Sequence, residues 1–279
     1  MNPPVTPSVQ VVVALFNGAE CILDQIRALA NQEYDPPPRI VVADNGSSDN
    51  GIRMIEELQL ASVSVIDATL RRGQAHARNV GAIGNSDLIL FCDQDDVVAP
   101  GWIAALSKGL QEYEIVGGSF DTLTLNHGVT KWRPSPARAD FGRPLPFTSG
   151  SNLGVRRCIF KALGGFREDY YGGGEDADLC WRAQIQGFHL GYIPDAVLRY
   201  RYRRLLLSHF KQQVLYGRSA SRLTVNFPDL DHPLPISFWR EMGWLIRNGP
   251  LLLSRDTAGA WVRSLGYWIG TRDRQPSDQ

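Results

Sequence analysis

The chain has 279 residues, 43% of them hydrophobic, which is enough for one large α/β domain or for one domain with a tail. Its 29 basic and 29 acidic residues give a net charge of zero, so the chain as a whole has no positive electrostatic field that would attract nucleic acid. We therefore do not expect nucleic acid as a partner. The four cysteines include no C-x-x-C pair, which favours thiols in a reducing cytoplasm. We expect neither a signal peptide nor a membrane-spanning helix, because the apolar runs are too short.

Short apolar strands alternate with amphipathic helices along the first 120 residues of the chain. The predicted strands are residues 9–16, 39–44, 63–67, 88–93 and 114–120. Three segments between them have the apolar spacing of helices, namely 21–31, 52–58 and 75–83. Because continuous apolar strands need cover on both faces, the pattern predicts a doubly wound, mostly parallel α/β sheet.

Polar turns follow three of these strands, at the edge where ligands bind in such sheets. The first turn holds Phe16 and Asn17, the second begins at Asp44, and the third holds Asp93 and Asp95. Two residues apart, Asp93 and Asp95 point the same way in an extended chain, and a hard divalent cation would relieve their repulsion. The alternative, in which a carboxylate only caps the following helix, stays open.

The second turn and the third predicted helix hold groups that suit a nucleotide. Asp44 ends its strand, so its carboxylate can accept a hydrogen bond from a base edge such as the N3–H of uracil, while Phe16 offers an apolar face. The same run, DNGSSDNG, is also an ordinary turn and cap sequence, and both interpretations stay open. Arg78 lies on a helix face after Gly73, where a guanidinium suits a diphosphate, although solvated arginines are more frequent.

Five motifs, in their order and spacing, make the chain resemble family 2 glycosyltransferases with the GT-A fold. They are ALFN, VVADNGSSDN, GQAHARNVGA, LILFCDQDD and the segment 149–188, in which a glycine-rich loop leads into a Glu-Asp pair at a helix N-terminus. The resemblance spans residues 9–220. It implies transfer of a sugar from a nucleoside-diphosphate sugar, with UDP favoured, to a saccharide, lipid-linked or natural-product acceptor.

The resemblance also implies a role for each matching residue. The nucleotide-sugar-binding residues would be Phe16, Asn17, Asp44, Arg78, Asp93, Gly150, Ser151, Asn152 and Glu175. Asp95 would hold Mn²⁺ or Mg²⁺, and Asp176 would be the base that activates the acceptor hydroxyl for a single displacement with inversion. An acidic helix N-terminus that only complements the helix dipole is the alternative for Glu175 and Asp176.

The chain departs from the family pattern at three places. Ala14 and Phe16 stand where proline and tyrosine are usual, and Asn45 stands where an aspartate is common. Many relatives have a histidine near the position of Arg199 that can complete the metal site, whereas the next histidine here is His209. The metal ligands other than Asp95 are therefore left open.

The C-terminal part of the chain is basic and rich in tryptophan. Residues 199–222 hold seven lysines or arginines and no acidic residue. This basic segment could be a solvated face, a lid over the diphosphate or a surface for acidic lipids, and these interpretations stay open. Residues 226–279 hold four of the seven tryptophans, on two predicted helices after a proline-rich linker. These helices are expected to pack on the rest of the chain or in a homodimer, or to lie in a membrane interface.

The predicted organisation is a catalytic GT-A domain and a helical extension. The catalytic domain covers residues 1–225, with a nucleotide-sugar half over 8–120 and an acceptor half over 121–225. The helical extension covers 226–279. We expect the protein in the cytoplasm, with peripheral attachment to the inner membrane face as the alternative.

Two other functional classes are weaker interpretations of the same sequence. A sugar-phosphate nucleotidyltransferase needs a glycine-rich basic loop directly after the first strand, where this chain has FNGAECI. A nucleotide-sugar-binding protein without catalysis would not need both Asp95 and Asp176. The pattern therefore favours an enzyme.

Overall fold

One β-sheet runs through the part of the chain that the computed structural model describes, residues 6–127, 144–170, 172–202, 206–231, 238–253 and 255–272. Its eight strands in these residues are β1 (Val9–Leu15), β2 (Arg39–Asp44), β3 (Val63–Asp67), β4 (Leu88–Asp93), β5 (Val97–Val98), β6 (Ile115–Asp121), β7 (Asn152–Arg156) and β8 (Leu190–Arg199). Their order across the sheet is β3-β2-β1-β4-β7-β6-β8-β5.

The first four strands are parallel, whereas the sheet beyond them is mixed. β1 pairs with β2 and β4, and β2 pairs with β3, all in parallel. β7 is antiparallel to both β4 and β6, while β8 is parallel to β6 and antiparallel to β5. The predicted α/β sheet is confirmed, and its parallel half is the one that the sequence describes. The antiparallel insertion of β7 is the feature that the sequence does not predict.

Helices connect the strands and form the C-terminal part. In the described residues they are α1 (Ile22–Ala30), α2 (Gly51–Glu56), α3 (Gln74–Gly81), α4 (Trp102–Glu112), α5 (Arg157–Ala162), α6 (Glu175–Ile185), α7 (Leu206–Asn226), α8 (Phe238–Arg247) and α9 (Arg255–Arg272). Short 3-10 helices cover Thr124–Asn126 and Gly249–Leu253. The predicted strands and the three predicted helices are present, with ends within two residues of those expected.

The central strands are buried because helices cover both faces of the sheet. Val11, Val12 and Val13 are consecutive in β1 and all are inaccessible to solvent. Since side chains alternate between the two faces of a strand, consecutive burial requires cover on both sides. A Cβ at Gly81 would overlap the Val12 side chain, so α3 can lie this close to β1 only with glycine there. At the other end, the start of α3 is held beside the carboxyl end of β2, because the N–H of Gly73 donates to Asn45 Oδ1 at 2.8 Å.

The chain forms two compact units. The first contains the sheet and α1 to α6, and consists of Met1–Ala139, Leu145–Glu168 and Glu175–Arg201. The second contains α7, α8 and α9, and consists of Asp140–Pro144, Asp169–Gly174 and Tyr202–Gln279. The division at residue 225 given above stays a prediction about the catalytic domain.

In the second unit, α7 packs closely on α9. A Cβ at Gly270 would overlap the carbonyl of Val214, and a Cβ at Gly217 would overlap the carbonyl of Tyr267. Glycine at these two positions therefore allows the backbones of the two helices to touch. None of the described helices combines the length and the apolar character that crossing a bilayer requires.

Candidate active site

The turn after β4 gathers three carboxylates. One oxygen from each of Asp93, Asp95 and Asp96 lies within 4.8 Å of the others. Burial, followed by repulsion from Asp95 and Asp93, raises the pKa of Asp96 well above its ordinary range. One buried oxygen of Asp96 has no hydrogen-bond partner among the residues that the structure describes. Hard oxygen donors at this spacing suit Mg²⁺ or Mn²⁺, and Asp96 adds a third carboxylate to Asp93 and Asp95.

Arg201, which is 105 positions after Asp96 in the chain, orders this carboxylate turn. Its N–H donates to Asp96 Oδ1 at 2.9 Å, and its Nε donates to the carbonyl of Asp95 at 2.9 Å. Its Nη2 reaches Asp24 of α1 at 3.2 Å. Arg201 lies two residues beyond Arg199, near which the family pattern expects a histidine. In this chain the guanidinium of Arg201, which is bonded to the carbonyl of Asp95, is therefore close in sequence to the position where the histidine is expected.

A buried arginine joins the two sides of the site. Arg78 Nη2 lies 2.7 Å from Asp93 Oδ1, and Arg78 Nη1 lies 2.8 Å from Glu175 Oε1. The side chains of Arg78 and Glu175 are 3% and 4% exposed. A Cβ at Gly150 would overlap Arg78 Nη1, so the glycine leaves room for the guanidinium in this position. The structure thus brings together the β4 turn, Gly150 and the start of α6.

Burial changes the acidity of Glu175. Burial first, and then the neighbouring charge of Asp176, raise the pKa of Glu175 to about 7, while Arg78 opposes the rise. Glu175 therefore titrates near neutral pH. The family resemblance predicts Glu175 as a nucleotide-sugar-binding residue, and the structure places it against Arg78.

Asp176 has different surroundings from Glu175. Its side chain is half-buried, and its Oδ2 accepts the N–H of Gly150 at 3.0 Å. Its Oδ1 accepts the N–H of Ala177 at 2.8 Å. These two donors orient the carboxylate at the first turn of α6, where the helix dipole favours negative charge. Of the Glu-Asp pair, Asp176 is the carboxylate with the greater access to solvent.

The first two turns are tied to each other by short hydrogen bonds. Asp44 caps its own turn, because its carboxylate accepts the N–H groups of Ser47 at 3.0 Å and Gly46 at 3.2 Å. The N–H of Asn17 donates to the Ser47 hydroxyl at 3.0 Å, and Asn17 Oδ1 accepts the N–H of Ser48 at 2.8 Å. Asp44 therefore has a structural role in closing this turn. Its carboxylate keeps further lone pairs, and its contact with a base stays a prediction.

Phe16 is the exposed aromatic ring of the first turn. It is 49% exposed, and the guanidinium carbon of Arg72 lies 4.9 Å from its ring centroid. Its N–H donates to Gln94 Oε1 at 2.7 Å, and Gln94 Nε2 donates back to its carbonyl at 3.0 Å. Gln94 thus joins the first turn to the third. Gln94 stands inside one of the motifs quoted above and Arg72 directly precedes another, but no local pattern shows that they meet Phe16.

Asn152 belongs to the scaffold of the sheet. It is inaccessible to solvent, and its Oδ1 accepts the indole N–H of Trp102 at 2.8 Å. Its Nδ2 donates to the carbonyls of Ser119 at 2.9 Å and Ala196 at 3.1 Å. The preceding residue, Ser151, is buried as well. Of the three predicted residues in this segment, Gly150 is the one whose contacts join the site.

The glycine-rich loop before α6 packs on α7 within the second unit. Gly172, Gly173 and Gly174 have φ values of +87°, +133° and +93°, which other residues rarely adopt. Cβ atoms on them would lie 2.5–2.8 Å from side chains of α7, those of Leu215, Tyr216 and Ser219. The Ser219 hydroxyl donates to the carbonyl of Gly173. The three glycines are therefore required both by the backbone and by the packing.

Family models match most of the chain. The model of glycosyl transferase family 2 matches residues 10–164, and the model of glycosyl transferase family group 2 matches residues 88–254. The chain is 27% identical over 268 residues to the pre-mycofactocin glycosyltransferase of Mycobacterium tuberculosis, covering 88% of this chain and 54% of the relative. It is 25% identical over 245 residues to an N-acetylglucosaminyltransferase of Azorhizobium caulinodans, covering 79% and 62%. The chain thus spans less than two thirds of the length of these relatives.

Solved structures resemble the fold over nearly the whole chain. The mannosyltransferase PcManGT from Pyrobaculum calidifontis, in complex with GDP-Man and Mn²⁺, has a TM-score of 0.70 and 17% identity, covering 98% of this chain and 89% of that one. TarS 1–349 of S. aureus, in complex with UDP-GlcNAc, has a TM-score of 0.62 and 17% identity, covering 94% and 80%. At such identities the likeness bears on the fold alone.

Proposed function

The chain belongs to glycosyl transferase family 2 and has the GT-A fold, and from this premise we propose that it transfers a sugar from a nucleoside-diphosphate sugar to an acceptor hydroxyl, with inversion at the anomeric carbon. The observation that carries the proposal is the buried bridge from Asp93 through Arg78 to Glu175. This bridge connects the carboxylate turn on the proposed donor side to the helix that starts with the proposed base. A protein that only binds a nucleotide sugar would have no need of the connection.

The donor side of the proposed site is formed by the turns after β1 and β2. Phe16 would pack on the base, while Asn17 and Asp44 would contact the nucleoside. We favour UDP, because the N3–H of uracil is a donor that the Asp44 carboxylate can accept. Guanine also presents donors on its edge, and the two solved relatives bind GDP-Man and UDP-GlcNAc. The test below therefore includes both nucleotides.

The carboxylate turn fits a divalent cation. Asp93, Asp95 and Asp96 supply hard oxygen donors within 4.8 Å of one another, and a cation would relieve the repulsion that raises the pKa of Asp96. Asp95 is the ligand we propose, with Mn²⁺ and Mg²⁺ as the ions that accept such donors. When bound, the cation would neutralise charge on the departing nucleoside diphosphate.

Asp176 is the base in this proposal. Its carboxylate is half-buried and is oriented by the N–H of Gly150, so an acceptor hydroxyl can approach it. Asp176 would take the hydroxyl proton as the acceptor oxygen bonds to the anomeric carbon and the bond to the diphosphate breaks. A single displacement of this kind inverts the configuration, and the proton ends on Asp176.

Arg78 and the residues after Gly150 have supporting roles in the proposal. Both terminal nitrogens of Arg78 are bonded to carboxylates, which favours a positioning role over direct contact with the diphosphate. Asn152, whose amide is bonded within the scaffold, would act by supporting the turn at Gly150. Ser151 would do the same from its buried position.

Turnover measured separately from donor binding tests the proposal. The chain would be incubated with UDP-sugars and GDP-sugars and with Mn²⁺, and release of the nucleoside diphosphate would be followed, with water or a simple glycoside as the acceptor. Asp176→Asn should lower turnover by about 10²- to 10⁴-fold, because a base acts only on the acceptor. The Kd for the nucleoside diphosphate should stay within about twofold. Asp195→Asn, at an exposed position of β8, is the matched control.

Three results would contradict the proposal. Parallel loss of binding and turnover in Asp176→Asn would make the residue structural. Donor binding by the parent without turnover on any donor would leave a binding protein. Pyrophosphate release from UTP and a sugar phosphate would point to a nucleotidyltransferase.

A further inference from the structure

The second unit exposes an apolar face of α8. Trp239 is 81% exposed and Ile246 is 74% exposed. Because the two residues are seven apart, they lie on the same face of the helix, two turns from each other. Leu245 lies on another face, is 4% exposed, and its carbonyl accepts the indole N–H of Trp261 from α9. The helix is therefore fixed to its own unit by one face and presents large apolar side chains to water by the other.

The apolar exposure continues into the following 3-10 helix. Five large apolar side chains between residues 239 and 253 are exposed, and we call them the α8 apolar surface: Trp239, Trp244, Ile246, Leu252 and Leu253. Single exposed apolar residues are common on protein surfaces, but a group of five on fifteen consecutive residues marks an interaction surface.

Positive charge accompanies the α8 apolar surface. Arg240 and Arg247 are exposed and follow Trp239 and Ile246 directly, so they lie about 100° further around the helix. Residues 238–272 hold five arginines against two acidic residues. Residues 202–272 hold ten basic and four acidic residues, although the charge of the whole chain is zero. The surface therefore offers apolar groups and cations side by side.

We propose that the α8 apolar surface docks the protein on an anionic lipid bilayer. Trp239, Ile246 and Leu253 would enter the boundary between headgroups and acyl chains, where tryptophan is favoured. Arg240 and Arg247 would bind lipid phosphates, which match the planar donors of a guanidinium. With ten residues, α8 is half the length of a spanning helix, so it would lie in the plane of the interface. The docking does not depend on the proposed reaction.

Co-sedimentation of the full chain with vesicles tests the proposal. Vesicles of phosphatidylcholine, alone or mixed with phosphatidylglycerol, would be compared at low and high salt. We expect binding to the anionic vesicles that salt weakens without abolishing, because salt screens the charges and leaves the apolar contribution. Trp239→Ser with Ile246→Ser should lower the partition coefficient at least about tenfold. The matched control is Leu207→Ser with Val225→Ser, two exposed apolar residues of α7, which should bind as the parent does.

A second pair of variants tests the charge. Arg240→Gln with Arg247→Gln should lower the partition coefficient on anionic vesicles roughly 30-fold at low salt, since each cation near such a surface contributes about fivefold. Lys108→Gln with Lys161→Gln, at exposed positions of the first unit, is the control and should have little effect. Circular dichroism would show that each variant is folded.

Several outcomes would overturn the proposal. Failure of the folded parent to sediment with anionic vesicles would do so, and so would equal losses in the control variants. A second copy of the chain is the competing occupant. If sedimentation velocity without lipid shows a dimer that Trp239→Ser with Ile246→Ser dissociates, and lipid binding is absent, the surface is a subunit interface.

Discussion

The two sides of the proposed site are built in different ways. On the donor side, Phe16 is half exposed and Asn17 is held by hydrogen bonds to the neighbouring turn. The connection to the acceptor side is different, because Arg78 and Glu175 are buried and their ion pair joins residues 97 positions apart. The donor side is thus an open rim of local turns, whereas its connection to the acceptor side is a buried bridge between distant segments.

Because of this difference, substitutions in the two places should affect ligand binding and folding stability to different extents. On an open rim, water replaces most of the contacts that a substitution removes, so the free energy of unfolding changes little. In a buried ion pair, loss of one partner leaves an uncompensated charge in a medium that solvates it poorly. We therefore expect donor-side variants to change affinity and variants of the bridge to change stability as well.

Arg78→Met is expected to have the largest effect on stability. At about pH 8, above the pKa of Glu175, the variant leaves the buried carboxylate without its cation, and the free energy of unfolding should fall by about 3–5 kcal/mol. Arg72→Met removes a guanidinium from the half-exposed Phe16 ring and should cost about 0.5–1 kcal/mol. Urea unfolding of both variants measures the contrast. Equal losses would mean that the two sides of the site do not differ as described.

The acidity of Glu175 gives the second prediction. Its pKa of about 7 in the folded protein lies above the ordinary value of 4.5, so the folded state binds the proton more tightly than the unfolded state. The stability that this contributes is complete below about pH 4.5 and is lost as the pH rises through 7. Relative to Glu175→Gln, which imitates the neutral acid, the parent should lose up to about 3 kcal/mol between pH 5 and 8. Urea unfolding across this range measures it, and parallel profiles would mean that Arg78 keeps Glu175 ionised throughout.

Asp95→Ala tests metal binding on the donor side of the site. UDP should raise the melting temperature of the parent, because a ligand at a concentration of about 100 times its Kd stabilises the folded state by about 2.7 kcal/mol. Mn²⁺ should enlarge this rise. The variant should lose the metal-dependent part alone, as the parent should in the presence of EDTA. Asp195→Ala, at an exposed position of β8, serves as the control. A variant that still responds to UDP and Mn²⁺ as the parent does would show that the carboxylate only orders its turn.

The same contrast explains which features the sequence could predict. β1, β2 and β4 are continuous apolar runs whose covered faces follow from their composition, and the turn at Asp44 is closed by residues two and three positions away. Short-range chemistry of this kind can be recognised in a single segment. The predicted residues of the donor rim accordingly lie at strand ends, where the pattern places them.

Long-range partners are what the sequence could not supply. β7, with the sequence NLGVR, has no strong strand pattern, and its place between β4 and β6 depends on pairing with distant segments. Asn152 stands beside Gly150 in the chain, yet its amide is bonded to Trp102, 50 positions away. Nothing near Arg78 or Glu175 in the sequence indicates that they pair. The bridge is the main support for the proposed function, and it could be recognised only from the three-dimensional structure.

Phe16 gives the prediction with the smallest expected effect, and it tests the donor side alone. Phe16→Ala removes the exposed ring on which a base would pack, and an aromatic contact of this kind contributes about 0.5–1.5 kcal/mol, so the Kd for UDP should rise about threefold to tenfold. Phe16→Tyr keeps the ring and should bind within about twofold of the parent, since the added hydroxyl lies on an exposed side chain. The free energy of unfolding should change by less than about 0.5 kcal/mol in Phe16→Tyr. Leu70→Ala, which removes another exposed apolar side chain, is the control for nonspecific effects. Isothermal titration calorimetry with UDP and with GDP measures the affinities, and an unchanged Kd in Phe16→Ala would remove the ring from the proposed nucleoside site while leaving the Arg78 bridge untouched.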